Sequence, residues 1–139
     1  MRRNERGFTL IELITVIILV SIISVTLFSR LGNVSNANLQ AGRDDLIAAL
    51  FFAQQTAMAR SNIKLILTNN SVSVTENGIP LNVHSQGYPL NFPSGITTTP
   101  QTLTYDKLGR IAVPSAILIT LSANTATAVV TVEASGYAH

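Results

Sequence analysis

Glu12 is the residue whose type and position most clearly require a chemical partner. The run Phe8–Phe28 has 21 residues, of which 15 are apolar, five are Ser or Thr, and Glu12 alone is charged. A carboxylate at mid-bilayer costs about 2.5–3.5 kcal/mol on insertion scales, so charged groups there usually pair with an opposite charge. The sequence therefore predicts an ionic contact between Glu12 and a cation in the same apolar environment.

The element that must position this carboxylate is predicted to be a membrane-spanning helix. At about 1.5 Å per residue, a helix over Phe8–Phe28 spans roughly 30 Å, the thickness of a hydrocarbon core. Three arginines and one glutamate precede the run. By the positive-inside rule, this basic start predicts a cytoplasmic N-terminus and an exported remainder.

The stretch Gly7-Phe8-Thr9-Leu10-Ile11-Glu12 at the head of the apolar run resembles the leader of a type IV prepilin. The run is longer than the roughly 7–15 residues of a secretory signal core, and no small-x-small cleavage site follows it. The resemblance implies that a prepilin peptidase cleaves after Gly7 and methylates the amine of Phe8. It also implies that Glu12 pairs with the terminal amine of a neighbouring subunit.

The resemblance further implies an organisation, a location and a set of partners. Residues 1–7 would be the leader, 8–28 the transmembrane and fibre-core helix, and 29–139 a periplasmic pilin-like domain that includes the second half of the long helix. The protein would cross the bacterial inner membrane once before it enters a pilus or pseudopilus fibre. Its partners would be the peptidase, major and minor pilins, the inner-membrane assembly platform and, before assembly, membrane lipid.

Electrostatics agrees with this interpretation of Glu12. Cleavage after Gly7 would create a second charge in the membrane, the Phe8 ammonium, which also needs a partner. Opposite charges a few ångströms apart attract strongly in a poor dielectric, which can offset the desolvation of both. The alternative is a plain signal anchor in which Glu12 has no assembly role.

The predicted fold class is α+β, a long N-terminal helix packed on a small, mainly antiparallel sheet. We expect one helix from Phe8 to about Ser61, with a bend or local melting allowed near Gly32–Asn38, because each glycine weakens helix propensity by about 1 kcal/mol relative to Ala. Five apolar residues recur at helical spacing and predict a buried face. They are Leu39, Leu46, Leu50, Ala53 and Ala57.

After Ser61 the pattern changes to alternating strands separated by turn residues. The predicted strands are Lys64–Thr68, Ser71–Thr75, Leu81–Val83, Thr102–Tyr105, Ile111–Val113, Ile117–Ser122 and Ala128–Glu133. Asn69-Asn70 is predicted as a two-residue turn that tolerates positive φ. Glu76–Pro80 and Gly109-Arg110 are further predicted turns, and Thr97–Thr102 is predicted as a local loop or edge. A helix followed by such strands is the α+β pattern.

Three later segments resemble the group of minor pilins and pseudopilins that includes the H-type pseudopilin of type II secretion (GspH/FimT-like). They are Leu46–Gln54, Leu103–Arg110 and Val130–Tyr137. The tail Gly136–His139 is similar to that of minor pilins of mannose-sensitive haemagglutinin (MSHA) pili. The resemblance implies a minor subunit of an MSHA-type pilus, which serves cell adhesion. The alternatives are a type II secretion pseudopilin and a DNA-binding minor pilin of DNA uptake.

Charge and composition give little support to a nucleic-acid partner. Without the leader, six basic residues balance six acidic ones. The high pI of about 9.4 is therefore due mainly to the leader arginines, which are the residues that predict the membrane topology. A nucleic-acid interface would need a clustered cationic face. The candidate DNA contacts are Arg60, Lys64, Lys107 and Arg110, and no basic run reinforces them.

An enzyme is not expected, and neither is a cofactor or a metal. His84 and His139 are the only histidines, and neither has a Cys, Asp or Glu at metal-ligand spacing. Asp106-Lys107 is interpreted as a solvated turn pair. The chain has no cysteine, so no disulfide staples the exported part, whose length suffices for one small domain.

Overall fold

The structure, a computed structural model, describes residues 8–83 and 86–139. Within these ranges, residues 27–34, 83 and 86 are described by their backbone alone. Gly7, the predicted cleavage position, and His84 lie outside the described residues. The chain divides into two compact units, Met1–Val34 and Ser35–His139.

Helix α1 spans Leu10–Ala59, close to the predicted bounds. It is continuous through Gly32–Asn38, so the local melting allowed there is not found. Its end is fixed by Asn62, which takes a left-handed φ of 60°. The Asn62 carbonyl accepts a hydrogen bond from the Asn77 amide at 3.2 Å, and its side-chain amide donates to Asn77 Oδ1 at 2.8 Å.

Membrane crossing by a helix has a length and an apolarity requirement. Among the described residues, no helix satisfies both.

The predicted apolar face of α1 is confirmed in the second unit. All five residues of the face are at most 3% exposed, and they join strand residues in one hydrophobic core. Burying side chains of this size contributes about 1.5–3 kcal/mol each for Leu, which is why this half of the helix is held on the sheets. Asp44 and Asp45 lie on the exposed side, as the helical spacing requires.

The described residues form ten strands, and every pairing between them is antiparallel. The strands are β1 Ile63–Leu67, β2 Ser71–Glu76, β3 Ile79–Pro80, β4 Asn82–Val83, β5 Gln86–Gly87, β6 Leu90–Asn91, β7 Ile96–Thr98, β8 Gln101–Thr104, β9 Ile117–Ala123 and β10 Ala126–Val132. The α+β prediction is therefore confirmed.

The first sheet has the order β3-β2-β1-β8, and β6 also pairs with β2. Its register places Leu65 opposite both Val74 and Leu103, and all three side chains are buried. Because side chains alternate between faces along a strand, this register directs one apolar row of the sheet into the core.

The second sheet has the order β10-β9-β7, and β4 pairs with β5 in a separate two-stranded ribbon. The predicted strands Ile117–Ser122 and Ala128–Glu133 are confirmed as β9 and β10, which form an antiparallel hairpin whose turn contains Asn124 at a φ of 52°. Its buried rows, which include Ile119, Leu121 and Val130, complete the core.

One local strand prediction is wrong: Ile111–Val113 is not a strand, and only Ile111 forms an isolated bridge, to Tyr105. The predicted turn at Asn69-Asn70 is confirmed between β1 and β2; neither residue has a positive φ, and the Thr68 amide donates to the Ser71 carbonyl. The segment predicted as a loop or edge, Thr97–Thr102, contributes to β7 and β8, each of which lies at the edge of its sheet.

Candidate functional site

The start of α1 is capped by Thr9. The Glu12 amide donates to the Thr9 carbonyl at 3.1 Å and lies 3.4 Å from the Thr9 hydroxyl, and the Leu13 amide donates to the same carbonyl at 3.2 Å. A threonine before the first helical residue satisfies amides that lack a partner inside the helix. Phe8 therefore precedes the helix, and Glu12 lies in its first turn.

The Glu12 carboxylate is exposed, and within residues 8–83 and 86–139 it has no hydrogen-bonding or ionic partner. In the first turn of a helix a negative charge is favoured, because the unpaired amides give that end a partial positive charge. This carboxylate is thus held in a defined place while remaining free to accept a partner. Glu12 lies four residues after Phe8, and Gly7 lies outside the described part.

The helix that follows has an exposed apolar surface. The large apolar side chains of Phe8 and of the helix as far as Val25 are all 43–81% exposed in the isolated chain. They are Phe8, Leu10, Ile11, Leu13, Ile14, Val16, Ile17, Ile18, Leu19, Val20, Ile22, Ile23 and Val25. A contiguous surface of this kind on a single chain marks contact with protein or lipid.

The hydroxyls in this segment are satisfied by the helix itself. Each donates to a carbonyl three or four residues earlier, at 2.6–2.8 Å. The donors are Thr15, Ser21, Ser24 and Thr26. Ser and Thr therefore do little harm in this apolar helix, because such bonds satisfy their hydroxyls without water.

In the second unit, Asp106 organises the turn after β8. Its Oδ1 accepts hydrogen bonds from the amides of Leu108 at 2.8 Å and Arg110 at 2.9 Å. Its Oδ2 accepts from the Arg110 guanidinium at 2.9 Å. The Arg110 amide, helped by its side chain and the Leu108 amide, lowers the pKa of the Asp106 carboxyl. The predicted solvated turn pair is Asp106-Lys107, but Asp106 pairs with Arg110, and Lys107 makes no ion pair in the described part of the chain.

The segments that resemble minor pilins meet at two glycines. Gly109 and Gly136 have φ values of 74° and 85°, and a Cβ on Gly136 would collide with the Gly109 carbonyl. Gln54 of α1 lies against both glycines and donates to the Ser135 carbonyl at 3.0 Å. We call Gln54, Gly109, Ser135 and Gly136 the glycine contact; it joins helix, turn and C-terminal segment.

The C-terminal tail pairs with the edge of β10. His139 and Thr131 exchange two backbone hydrogen bonds at 2.8 and 3.0 Å, and the Glu133 amide donates to the Tyr137 carbonyl at 2.8 Å. The rings of Tyr137 and His139 stack with centroids 5.4 Å apart. The tail therefore shields the end of an edge strand that would otherwise present unpaired backbone groups.

The four candidate DNA contacts do not act as free cations together. Arg60 pairs with Glu76 at 2.9 Å, and Arg110 is held by Asp106. Lys64 and Lys107 are exposed and have no ion pair among the described residues. Two of the four charges are therefore compensated by carboxylates.

A surface groove of about 420 Å³ lies beside the turn that Asp106 organises, and its lining includes Thr104, Ile111 and Ala134. Tyr105 lines it, but its hydroxyl is buried without a hydrogen-bond partner in the structure, and burial raises the pKa of that group. In the described ranges, no three His, Cys, Asp or Glu side chains are grouped as metal ligands would be.

Two site residues were missed by the sequence reasoning. Thr9 could have been found, since Thr-x-x-Glu before an apolar run is the capping-box pattern. Gln54 carried no signal of its own, because only the approach of two distant turns gives its amide a partner.

A family model and two solved structures are similar to this chain. A family model described as the prokaryotic N-terminal methylation motif matches residues 2–28. A crystal structure of the type IV minor pilin FimU from Pseudomonas aeruginosa PAO1, in space group P21, matches with a TM-score of 0.60 and 16% identity over 75% of this chain and 88% of that one. A second FimU structure, in space group P65, gives 0.56 and 16% over 73% and 90%. No curated relative matches the sequence at a significant level.

Proposed function

We propose that this chain is a minor subunit of a type IV pilus, cleaved between Gly7 and Phe8 and assembled through its apolar N-terminal helix. The observation that carries the proposal is a methylation motif leading into a helix whose apolar side chains are exposed and whose first-turn carboxylate is unpaired. The α+β fold shared with a type IV minor pilin supports it. The chain performs no chemistry itself; it is a peptidase substrate and a building block.

The exposed apolar surface is the driving force for assembly in this proposal. Before assembly the segment 8–28 lies in the inner membrane, with the N-terminus cytoplasmic and residues 29–139 in the periplasm. When the assembly platform extracts it, packing against other pilins must replace the contacts with lipid. At about 25 cal/mol per Å², the apolar area involved is worth on the order of tens of kcal/mol on either side of this exchange.

Glu12 sets the register of that packing. Cleavage leaves a methylated ammonium on Phe8, and the unpaired Glu12 carboxylate of a neighbour is the acceptor. Because both charges are otherwise desolvated without compensation, a subunit placed one step out of register would leave each unpaired, which is costly in an apolar core.

Within this class, we favour a minor pilin of the MSHA type. The support is the similarity of the C-terminal segment, which in this chain ends in the stacked Tyr137 and His139 beside β10. The alternative is the H-type pseudopilin of type II secretion. The gene neighbourhood separates them: adjacent genes for an adhesion pilus support our assignment, and a secretion cluster contradicts it.

The proposal is tested by following processing and incorporation in cells. Wild-type protein should begin at a methylated Phe8 by mass spectrometry, and Gly7→Val should remain an uncleaved membrane precursor. Glu12→Ala should be cleaved normally, but its incorporation into fibres should fall at least about tenfold, which corresponds to about 1.4 kcal/mol.

Asp45→Ala is the matched control, since Asp45 is an exposed acidic residue on the same helix. It should be processed and incorporated as wild type. A mature protein that still carries Met1 would contradict the cleavage, and normal incorporation of Glu12→Ala would contradict the role of the carboxylate.

A further inference from the structure

The cap at Thr9 separates the future chain terminus from the helix. Helix α1 begins at Leu10, and Thr9 accepts the Glu12 amide through both its carbonyl and its hydroxyl. Phe8 lies outside the helix. The nitrogen that cleavage would convert to an amine therefore lies two residues before the first helical turn, while the Glu12 carboxylate lies within that turn.

Extension of the helix by two residues would change this arrangement. Phe8 and Glu12 are four residues apart, and in a helix such residues are neighbours on one face. The Phe8 amine would then lie next to the carboxylate of its own chain and compete with the amine of a neighbouring subunit. It would also add a positive charge to the helix end that already carries about half a positive charge.

We propose that Thr9 is the positioning residue for the contact between Phe8 and Glu12 of different subunits. Its hydroxyl makes the helix begin at Leu10 and not earlier, which directs the Phe8 amine away from its own helix. The Glu12 carboxylate then remains open to the amine of another copy or of another pilin. This inference rests on the proposed function and adds a residue to it.

A series of substitutions at Thr9 separates capping from other uses of the hydroxyl. Side chains rank as N-caps in the order Asn and Ser, then Thr and Gly, with Ala and Val far below. Thr9→Ser, Thr9→Asn and Thr9→Gly should therefore incorporate into fibres as wild type does. Thr9→Ala and the isosteric Thr9→Val should lose between about twofold and thirtyfold. Incorporation is expressed per molecule of cleaved, methylated protein, so that effects on the peptidase do not enter.

Hydrogen exchange provides a measurement that does not depend on assembly. In cleaved, full-length protein in detergent micelles, the Glu12 amide should exchange about twofold to thirtyfold faster in Thr9→Val than in wild type, and Thr9→Asn should restore its protection. Thr15→Val is the control, because the Thr15 hydroxyl donates to the Ile11 carbonyl and caps no amide. It should change neither readout.

The outcomes distinguish this inference from the proposed function. If Thr9→Val incorporates normally while Glu12→Ala does not, the positioning role is wrong and the proposed function stands. If Thr9→Ser incorporates as wild type does but Thr9→Asn and Thr9→Gly do not, the hydroxyl acts through a specific contact and not as a helix cap. The inference is then overturned. If Glu12→Ala also incorporates normally, the assembly role proposed for the carboxylate is wrong, and the positioning role of Thr9 is overturned with it.

Discussion

Asp106 accepts hydrogen bonds from two backbone amides and from a guanidinium within five residues of chain. All of these donors favour the ionised carboxylate over the carboxylic acid, because only the former accepts at both oxygens without bringing a proton of its own. Glu12 is the opposite case, a carboxylate that has no partner in the described part of the chain. At the scale of single residues, the first charge is used for structure, and the second is the one that the proposed function uses in assembly.

The lowered pKa of Asp106 predicts a pH dependence of stability. The native carboxyl titrates below its ordinary value of 3.8, so the unfolded chain binds this proton at a higher pH than the native chain. Asp106 therefore contributes its full stabilisation above the unfolded pKa, and the contribution is lost as the pH falls through the native pKa. Carboxyl carbon NMR should place the Asp106 midpoint below 3.8.

Asp106→Asn gives the matching stability measurement. It should unfold at lower denaturant concentration than wild type at pH 7, and the difference should shrink as both proteins are taken toward pH 2. An equal difference at all pH values would mean that the shape of the side chain, and not its charge, holds the turn.

The glycine contact joins three elements that are far apart in sequence. Gly136 approaches the backbone of Gly109 so closely that no side chain fits between them, and Gln54 covers both from the helix. The Ile111 amide adds a hydrogen bond to the Ala134 carbonyl at 3.0 Å beside them. This contact fixes the turn after β8 and the segment after β10 to α1.

Gly136→Ala should therefore destabilise the protein more than the same substitution at a glycine that has a left-handed φ but no close neighbour. A left-handed φ at a non-glycine residue costs about 1–3 kcal/mol, and the collision with a backbone carbonyl adds to it. Gly78→Ala is the matched control, because Gly78 has a φ of 84° and nothing within 4 Å of the added carbon.

Denaturant unfolding should show a loss of about 1 kcal/mol for Gly78→Ala and about 2–4 kcal/mol for Gly136→Ala. Equal losses would show that the approach of the two glycines makes no energetic contribution beyond φ.

At the scale of the whole molecule, the two units differ in whether their apolar side chains are buried. The unit Ser35–His139 contains the buried core, with helix and strand residues in one cluster. The described apolar side chains of Met1–Val34 are exposed instead. In the proposed subunit, the first unit is completed only by lipid or by other pilins, whereas the second needs neither.

The second unit should consequently fold alone. A chain that begins at Ser35 should give a monomeric protein with strand and helix signals in circular dichroism and one cooperative unfolding transition. Within it, Leu50→Ala should lower the free energy of unfolding by about 2–5 kcal/mol, because Leu50 is fully buried. Phe51→Ala is the control; at 57% exposure it should cost far less. A broad transition, or equal losses for both variants, would contradict an autonomous core.

The sequence alone was sufficient for features that depend on neighbours in the chain. The methylation motif, the apolar run, the buried face of α1 at Leu46 and Leu50, and the turn at Asn77-Gly78 all follow from local pattern. Helical periodicity and left-handed turn residues are short-range properties, so they can be identified without knowledge of the fold.

The tertiary structure decided the features that depend on distant partners. Ile111–Val113 has the composition of a strand but no strand to pair with, whereas Ile96–Thr98 is a strand because β9 lies beside it. Gln54 and Gly136 acquire their roles only where helix and tail meet. Strand pairing and close backbone contacts are stabilised by residues that are distant in the sequence. The sequence pattern of one segment does not indicate which distant segment it will contact.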